Sequence, residues 1–140
     1  MKKNNVLFVL LFIPTVSFAQ QTKDTAIVHP EHPAEFPGGT KEWVSYLIHH
    51  LNRALGYQYL TVAKGAKNAK QTVALLFEID TAGHTTHIIV ENLREVHPEL
   101  AKEGIRIITA SPVWKPASQD GKPVTDKRRQ NITFVSGSIF

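Results

Sequence analysis

Apolar residues with helical spacing predict a first helix from Lys41 to Leu55. They recur every three or four residues, as the core-facing side of a helix requires. The stripe consists of Trp43, Val44, Leu47, Ile48, Leu51 and Leu55. Thr40 is suited to accept a hydrogen bond from the first N–H groups of this helix, and Gly56 is suited to end it.

An alternating segment, "QTVALLFEID", predicts a strand from Gln71 to Asp80. Its apolar face carries Val73, Leu75, Phe77 and Ile79. Residues 80–83 supply a turn, because Gly83 adopts positive φ without strain. The segment "HTTHIIVEN" then returns as the partner strand of a hairpin. Before the hairpin, Tyr57 to Gln71 is ambiguous and suggests a short helical turn near Leu60 to Lys64 and a lysine-rich loop.

A second helix and a last strand complete the predicted fold. Pro98 suits a first helical turn, and the apolar pattern continues to Ala110, where Ser111 and Pro112 end it. The stripe of this helix consists of Leu100, Ala101, Ile105 and Ile108. A proline-rich connection leads to "DKRRQNITFV", a strand in which Ile132 and Phe134 face one way. These elements predict an α+β domain with two helices on one face of a small three-stranded antiparallel sheet.

The first 19 residues have the pattern of a cleavable signal peptide. Lys2 and Lys3 precede an apolar run from Val6 to Ile13, and small residues end at Ala19. The run is too short for a membrane span of about 20 apolar residues, so we expect no stable membrane anchor. The polar residues 20–34 then predict an extended, mobile lead-in, and residues 35–140 predict one domain.

Composition narrows the classes of function. The chain has no cysteine, so neither disulfides nor thiolate chemistry contribute. Removing Lys2 and Lys3 lowers the formal charge from +4 to +2, a balance that predicts no affinity for nucleic acid or anionic lipid.

Seven histidines raise the possibility of a metal site. His84 and His87 are predicted on opposite faces of one strand, and His49 and His50 diverge on a helix, so neither pair is suited to chelation. No Ser, Thr or Lys lies in a recognisable nucleophile motif either. The sequence therefore predicts no catalytic residues, metal ligands or cofactor. A small secreted metal-binding or hydrolytic protein that uses surface histidines stays as the alternative.

Two further features each allow two interpretations. The loop Phe36 to Thr40 could bind an anion at a helix N-terminus, but it lacks the lysine and the preceding strand of phosphate loops. We interpret it as a turn that sets the direction of the first helix, with Phe36 packed near the helix start. Trp114, between prolines, could stack on a ligand, but is more typical of a residue that closes one end of a core.

Four segments in order resemble the C-terminal domain of TonB proteins, in the form common in Bacteroidetes. They are "AEFPGGTKEWVSYL", "VALLFEIDTAGHTTHIIVEN", "HPELAKEGIRIITASPVWKP" and "GKPVTDKRRQNITF". The resemblance extends from Ala34 to Val135, and each motif alone is weak, whereas their order is fairly specific.

The resemblance implies a periplasmic protein that is not an enzyme. Domains of this family bind a short extended segment of an outer-membrane receptor by adding it to a sheet as a strand. By resemblance, the last strand would offer its free edge. The residues implied in partner binding are Arg128, Arg129, Gln130, Asn131, Ile132, Thr133 and Phe134. The charged start of this strand also fits the opposite role, since charges protect an edge from pairing.

The chain differs from the family's energy transducers, which carry an uncleaved membrane helix and a long proline-rich spacer. We therefore expect a stand-alone secreted module that binds a TonB-dependent receptor segment or another envelope protein. Homodimerisation through the same edge is a further possibility.

Overall fold

A computed structural model describes residues 30–137 of the chain. The predicted signal peptide and the first ten residues of the predicted lead-in lie outside the described residues, as do residues 138–140. None of the helices between residues 30 and 137 is long and apolar enough to cross a membrane.

Three helices and two antiparallel sheets make up the fold. In chain order the elements are α1 (Gly39–His50), α2 (Ala54–Tyr59), β1 (Asn68–Ile79), β2 (Thr85–Val90), α3 (Pro98–Thr109), β3 (Ala117–Gln119), β4 (Lys122–Val124) and β5 (Asp126–Gly137). The larger sheet has the strand order β2-β1-β5, and β3 and β4 form a separate pair. The α+β class and the three-stranded antiparallel sheet are confirmed, whereas α2 and the second sheet were not predicted.

The central strand β1 supplies most of the core. Its alternate residues Val73, Leu75, Phe77 and Ile79 are at most 1% exposed, as the period of two predicted. Helix α3 packs across this face of the sheet. Gly104 allows the close contact, because a Cβ there would lie 3.1 Å from a Leu75 methyl group.

Helix α3 confirms the predicted second helix to within one residue at its end. Pro98 occupies its first turn, and the N–H of Glu99 donates to Nδ1 of His97 at 3.2 Å. The prediction that Ile105 belongs to the core-facing stripe was wrong, because this residue is 37% exposed. The buried stripe instead centres on Ile107, which is 0% exposed.

The predicted first helix is two elements. Helix α1 ends at His50, and Leu51 is extended with φ −71° and ψ 127°. Two side chains of α3 form hydrogen bonds with the main chain at this break. The N–H of Asn52 donates to Oε1 of Glu103 at 2.8 Å, and Arg106 donates to the carbonyl of His50 at 2.8 Å. The apolar spacing continues across this break, so periodicity alone could not reveal it.

Both predicted ends of the first helix were wrong. Thr40 lies inside the first turn of α1, and Gly38, at φ 83°, takes the N-cap position without a side-chain hydrogen bond. Gly56 lies within α2. The helical turn expected near Leu60 to Lys64 was also wrong, because residues 60–63 are irregular and α2 ends at Tyr59.

The proline-rich connection contains the β3 and β4 hairpin. Asp120 and Gly121 form its turn with φ of 50° and 72°, a conformation that favours an Asp-Gly pair. The segment "SQDGKPV" carries this signal, but the surrounding prolines led to the prediction of an irregular connection.

The end of the predicted lead-in is part of the packed fold. His32 exchanges two main-chain hydrogen bonds with Ser118, at 3.1 and 2.8 Å, and Glu35 exchanges two with Lys115, at 3.0 and 2.8 Å. Ala34 between them is 2% exposed. Packing thus begins by His32, before the domain start predicted at residue 35.

Candidate functional site

Strand β5, which contains all seven residues nominated from the sequence, is an edge strand. It pairs with β1 without a register shift, from Asn68 opposite Gly137 to Ile79 opposite Asp126. Among residues 30–137, no strand pairs with its other side.

Asn131 and Thr133 direct their main-chain groups toward this free edge. Ala74, opposite Asn131, donates its N–H to Asn92 Oδ1 at 2.9 Å and accepts from the N–H of Glu91 at 2.8 Å, both on the β2 side. In an antiparallel pair, when the main-chain groups of one residue point away from the partner strand, those of the residue directly opposite it also point away. The N–H and C=O of Asn131, and by alternation those of Thr133, therefore point away from β1.

The side chains of the nominated residues fall on two faces of the sheet. Ile132 and Phe134 are 5% and 2% exposed, so their side chains belong to the core and their main chain pairs with β1. Arg128 and Gln130 face the same inner side but are only partly buried. The remaining three, Arg129, Asn131 and Thr133, face the outer surface and are exposed.

Helix α2 closes the free edge at its far end. A Cβ on Gly56 would lie 2.4 Å from the carbonyl oxygen of Val135 and 3.0 Å from its nitrogen. Both main-chain groups of Val135 therefore face α2, which prevents a neighbouring strand from extending past this residue.

The side chain of Gln130 already forms a hydrogen bond with one of the outward main-chain groups. Its Nε2 donates to the carbonyl oxygen of Asn131 at 2.8 Å. Its Oε1 accepts from the indole Nε1 of Trp43, also at 2.8 Å. The side chain of Gln130 is thus fixed by α1 in a position that covers part of the edge.

A cleft of about 210 Å³ opens beside the first half of β5. We call it the aromatic cleft, and its walls include Phe36, Trp43, Phe77, Trp114, Arg128 and Gln130. The ring centroids of Trp43 and Trp114 are 5.0 Å apart, and those of Phe36 and Trp114 are 5.3 Å apart. Trp114 is 6% exposed, so it packs in the core as predicted while also forming one wall.

Arg128 joins the lead-in to β5. Its Nε lies 3.2 Å from Oδ2 of the buried Asp126, and its Nη2 donates to the carbonyl of Ala34. Its guanidinium carbon lies 5.9 Å from the ring centroid of Trp114. Arg128 therefore has a structural role besides forming a wall of the aromatic cleft.

The other charges at the start of β5 also face acidic partners. Arg129 forms a two-bond pair with Glu91, with nitrogen-to-oxygen distances of 3.0 Å in each bond, and Lys127 Nζ lies 3.7 Å from Oε1 of Glu78. These pairs are on the outer face of the sheet.

A second cleft, of about 340 Å³, lies between α2 and the second half of β5. This α2 cleft is lined by Arg53, Tyr57, Thr133, Phe134 and Val135. Tyr57 is 59% exposed, and Arg53 is exposed and forms no ion pair with any residue between 30 and 137. Sequence reasoning did not single out these two residues, because α2 was not predicted.

The histidines of the described region are dispersed. His87 Nδ1 lies 3.1 Å from Glu78 Oε2, while His84 Nδ1 lies 3.8 Å from Asp80 Oδ1 in the hairpin turn. No group of three or more His, Asp or Glu side chains in residues 30–137 is arranged to hold a metal ion.

No protein-family model, curated protein or solved structure matches this chain significantly. The geometry that bears on function is concentrated along β5. There an edge with outward main-chain groups is bordered by two clefts and closed at one end by a helix.

Proposed function

We propose that this protein is a periplasmic binding module that captures an extended protein segment as an additional strand beside β5. The observation that carries the proposal is the outward direction of the main-chain groups of Asn131 and Thr133. A segment laid against them would gain main-chain hydrogen bonds whatever its sequence, and neighbouring clefts would select among its side chains.

The sequence motifs support the class of partner. The resemblance to TonB C-terminal domains suggests a segment of a TonB-dependent receptor or of another envelope protein. The predicted signal peptide supports a periplasmic location. Binding of this kind needs no catalytic group, so we propose a protein that is not an enzyme.

The geometry limits the length of the captured segment. The free edge extends from Lys127, one residue after the start of β5, to the contact between Gly56 and Val135. At about 3.3 Å per residue, roughly seven residues can pair, over roughly 23 Å.

Capture also requires a local rearrangement. The incoming N–H that bonds to Asn131 must replace Nε2 of Gln130 at the same carbonyl. Because one hydrogen bond replaces another, the net energetic change at this position is small.

Amide hydrogen exchange on the protein lacking residues 1–19 tests the proposal. The probe is a 12-residue peptide selected against it from a display library. We expect the peptide to slow exchange at the N–H groups of Asn131 and Thr133 and to leave that of Thr85 unchanged. The N–H of Thr85 points away from β1, because its neighbours His84 and Thr86 are the residues that bond to β1. Protection at Thr85 alone, or no protection at β5, would contradict strand addition there. A concentration-dependent dimer that protects the same β5 amides without peptide would instead show self-pairing.

A matched pair of proline variants provides the second arm. Thr133→Pro removes an outward N–H from β5, and Thr85→Pro removes one from β2. Each also removes one threonine hydroxyl hydrogen bond, with Thr72 or with the carbonyl of Ile108. We expect only Thr133→Pro to abolish peptide binding, at a temperature where circular dichroism shows that both variants are folded.

A further inference from the structure

We propose that the aromatic cleft receives an aromatic side chain of the captured segment, and that Arg53 pairs with an acidic residue near the segment's end. This inference rests on the strand addition proposed above. It defines the class of partner as an extended segment with a central ring and an acidic terminus.

The cleft is located where a side chain of an added strand would enter it. Arg128 and Gln130 face the inner side of the sheet and border the cleft. Side chains alternate between the two faces of a strand, and neighbours in adjacent strands share a face. The residue of the segment opposite Gln130 therefore points into the aromatic cleft.

The size of the cleft fits one ring. Its volume is about 210 Å³. An apolar cavity of about 150 Å³ accepts benzene, whereas pockets for drug-sized ligands begin near about 300 Å³. A single side chain that contains a ring fills this space, and a separate organic ligand of ordinary size does not.

The walls favour a ring over an aliphatic side chain. The rings of Trp43, Trp114 and Phe36 are already 5.0 to 5.3 Å apart, within the range of attractive ring pairs. The guanidinium of Arg128, 5.9 Å from the ring centroid of Trp114, adds a planar group to the same wall. An aliphatic side chain would bury a similar area but would lack these directional contacts.

The positive charge of Arg53 favours an acidic residue at the other end of the segment. Arg53 lines the α2 cleft at the point where the accessible edge finishes. Among residues 30–137 no carboxylate pairs with it, in contrast to Arg128 and Arg129. A carboxylate at the segment's end would be the complementary partner.

Palindromic heptapeptides test both parts. The probes are acetyl-Asp-Thr-Thr-X-Thr-Thr-Asp-amide with X as Phe, Leu or Ala, together with the Phe peptide carrying Lys at both ends. The palindrome presents the same order of side chains in either strand direction. Affinity is measured by titration, and the two tryptophan indole N–H signals and the amide exchange of Asn131 and Thr133 are followed by NMR.

We expect the Phe peptide to bind about tenfold to a hundredfold more tightly than the Ala peptide, as burial of a ring implies. We expect it to bind more tightly than the Leu peptide as well, and to shift both indole signals. The Lys-ended peptide should bind more weakly than the Asp-ended one, and Arg53→Gln should remove that difference.

Thr40→Phe provides a variant that fills the cleft from its rim. Thr40 is exposed and borders the cleft, while Lys41 beside it is exposed and does not. We expect Thr40→Phe to remove the preference for Phe over Ala, and the control Lys41→Phe to retain it, with both variants keeping the thermal stability of the parent protein.

The outcomes separate this inference from the proposed function. If the Phe, Leu and Ala peptides protect the edge amides equally, strand addition is supported and the aromatic cleft is overturned as a binding site. If the indole signals shift only with the Phe peptide and no β5 amide is protected, a site for the ring is supported and strand addition is overturned. No binding by any peptide would overturn both, and equal binding of the Asp-ended and Lys-ended peptides would overturn the role of Arg53.

Discussion

The main-chain N–H of Ala34 donates to Oδ2 of Asp126 at 2.9 Å, although the two residues are 92 positions apart. Arg128 completes the contact by donating to the carbonyl of Ala34. Asp126 is 1% exposed, so the start of the packed chain is attached to the start of β5 by a buried carboxylate and its cationic partner.

We predict that Asp126→Ala destabilises the protein by about 2 to 4 kcal/mol, because it leaves Arg128 and the N–H of Ala34 without their buried acceptor. Urea unfolding followed by tryptophan fluorescence measures the loss. Glu91→Ala is the control: it breaks an exposed pair with Arg129 and should cost less than about 1 kcal/mol. Equal losses would show that the buried pair contributes no more than a surface one.

Gly56→Ala tests the contact that closes the edge. The new Cβ would lie 2.4 Å from the carbonyl oxygen of Val135, so α2 must move away from β5. We expect a loss of about 1 to 3 kcal/mol in the free energy of unfolding and faster amide exchange at Val135. Gln58→Ala, at an exposed position of the same helix, should change stability by less than about 0.5 kcal/mol. Unchanged exchange at Val135 in Gly56→Ala would mean that α2 does not cover this edge.

Two glycines with positive φ allow backbone strain and steric conflict to be separated. Gly65 has φ 85° and no atom within 4 Å of an added Cβ, whereas Gly83 has φ 89° and the carbonyl oxygen of Trp114 at 2.0 Å. We expect Gly65→Ala to cost about 1 kcal/mol from strain alone. Gly83→Ala should cost clearly more in the same thermal unfolding assay, and similar costs would mean that the loop before Trp114 moves without penalty.

Glu103 makes stability depend on acid pH. Burial raises its pKa, but hydrogen bonds from Arg106 and from the N–H of Asn52 more than offset this and hold the pKa below its ordinary value of 4.5. The native state therefore favours the ionised form. Its stabilising contribution is present above about pH 4.5 and is lost as pH falls through the lowered pKa.

We predict that Glu103→Gln is less stable than the parent protein at pH 7 by about 1 to 3 kcal/mol. The difference should narrow as pH falls below 4.5, because the parent carboxylate then becomes protonated. Urea unfolding of both proteins at several pH values measures this narrowing. A difference that stays constant from pH 7 to pH 3 would show that ionisation of Glu103 does not stabilise the fold.

The parts of the fold that were predicted are those with a local signal. Alternation from Val73 to Ile79 identified β1, and Pro98 with its apolar stripe identified α3. The break after His50 was missed, because it depends on hydrogen bonds from Glu103 and Arg106, about 50 residues away. No local period carries that information.

The site was predicted in part for a similar reason. The resemblance pointed to the last strand, and the structure places it at the sheet edge, but Ile132 and Phe134 have core side chains. The aromatic cleft could not be found from the sequence. Its rings come from the turn before α1, from α1, from β1 and from the loop after α3, and only tertiary packing brings them together.

The pairing of β1 with β5 also determines when the protein can fold. The central strand meets its longest partner in the last described strand of the chain, with Ile79 beside Asp126 and Asn68 beside Gly137. A chain that has not yet added residues 126–137 exposes one whole side of β1 and the apolar residues it carries. Contacts between distant segments also form slowly. Folding therefore completes only after residue 137 is available to pair, and until then the unpaired strand needs protection from aggregation.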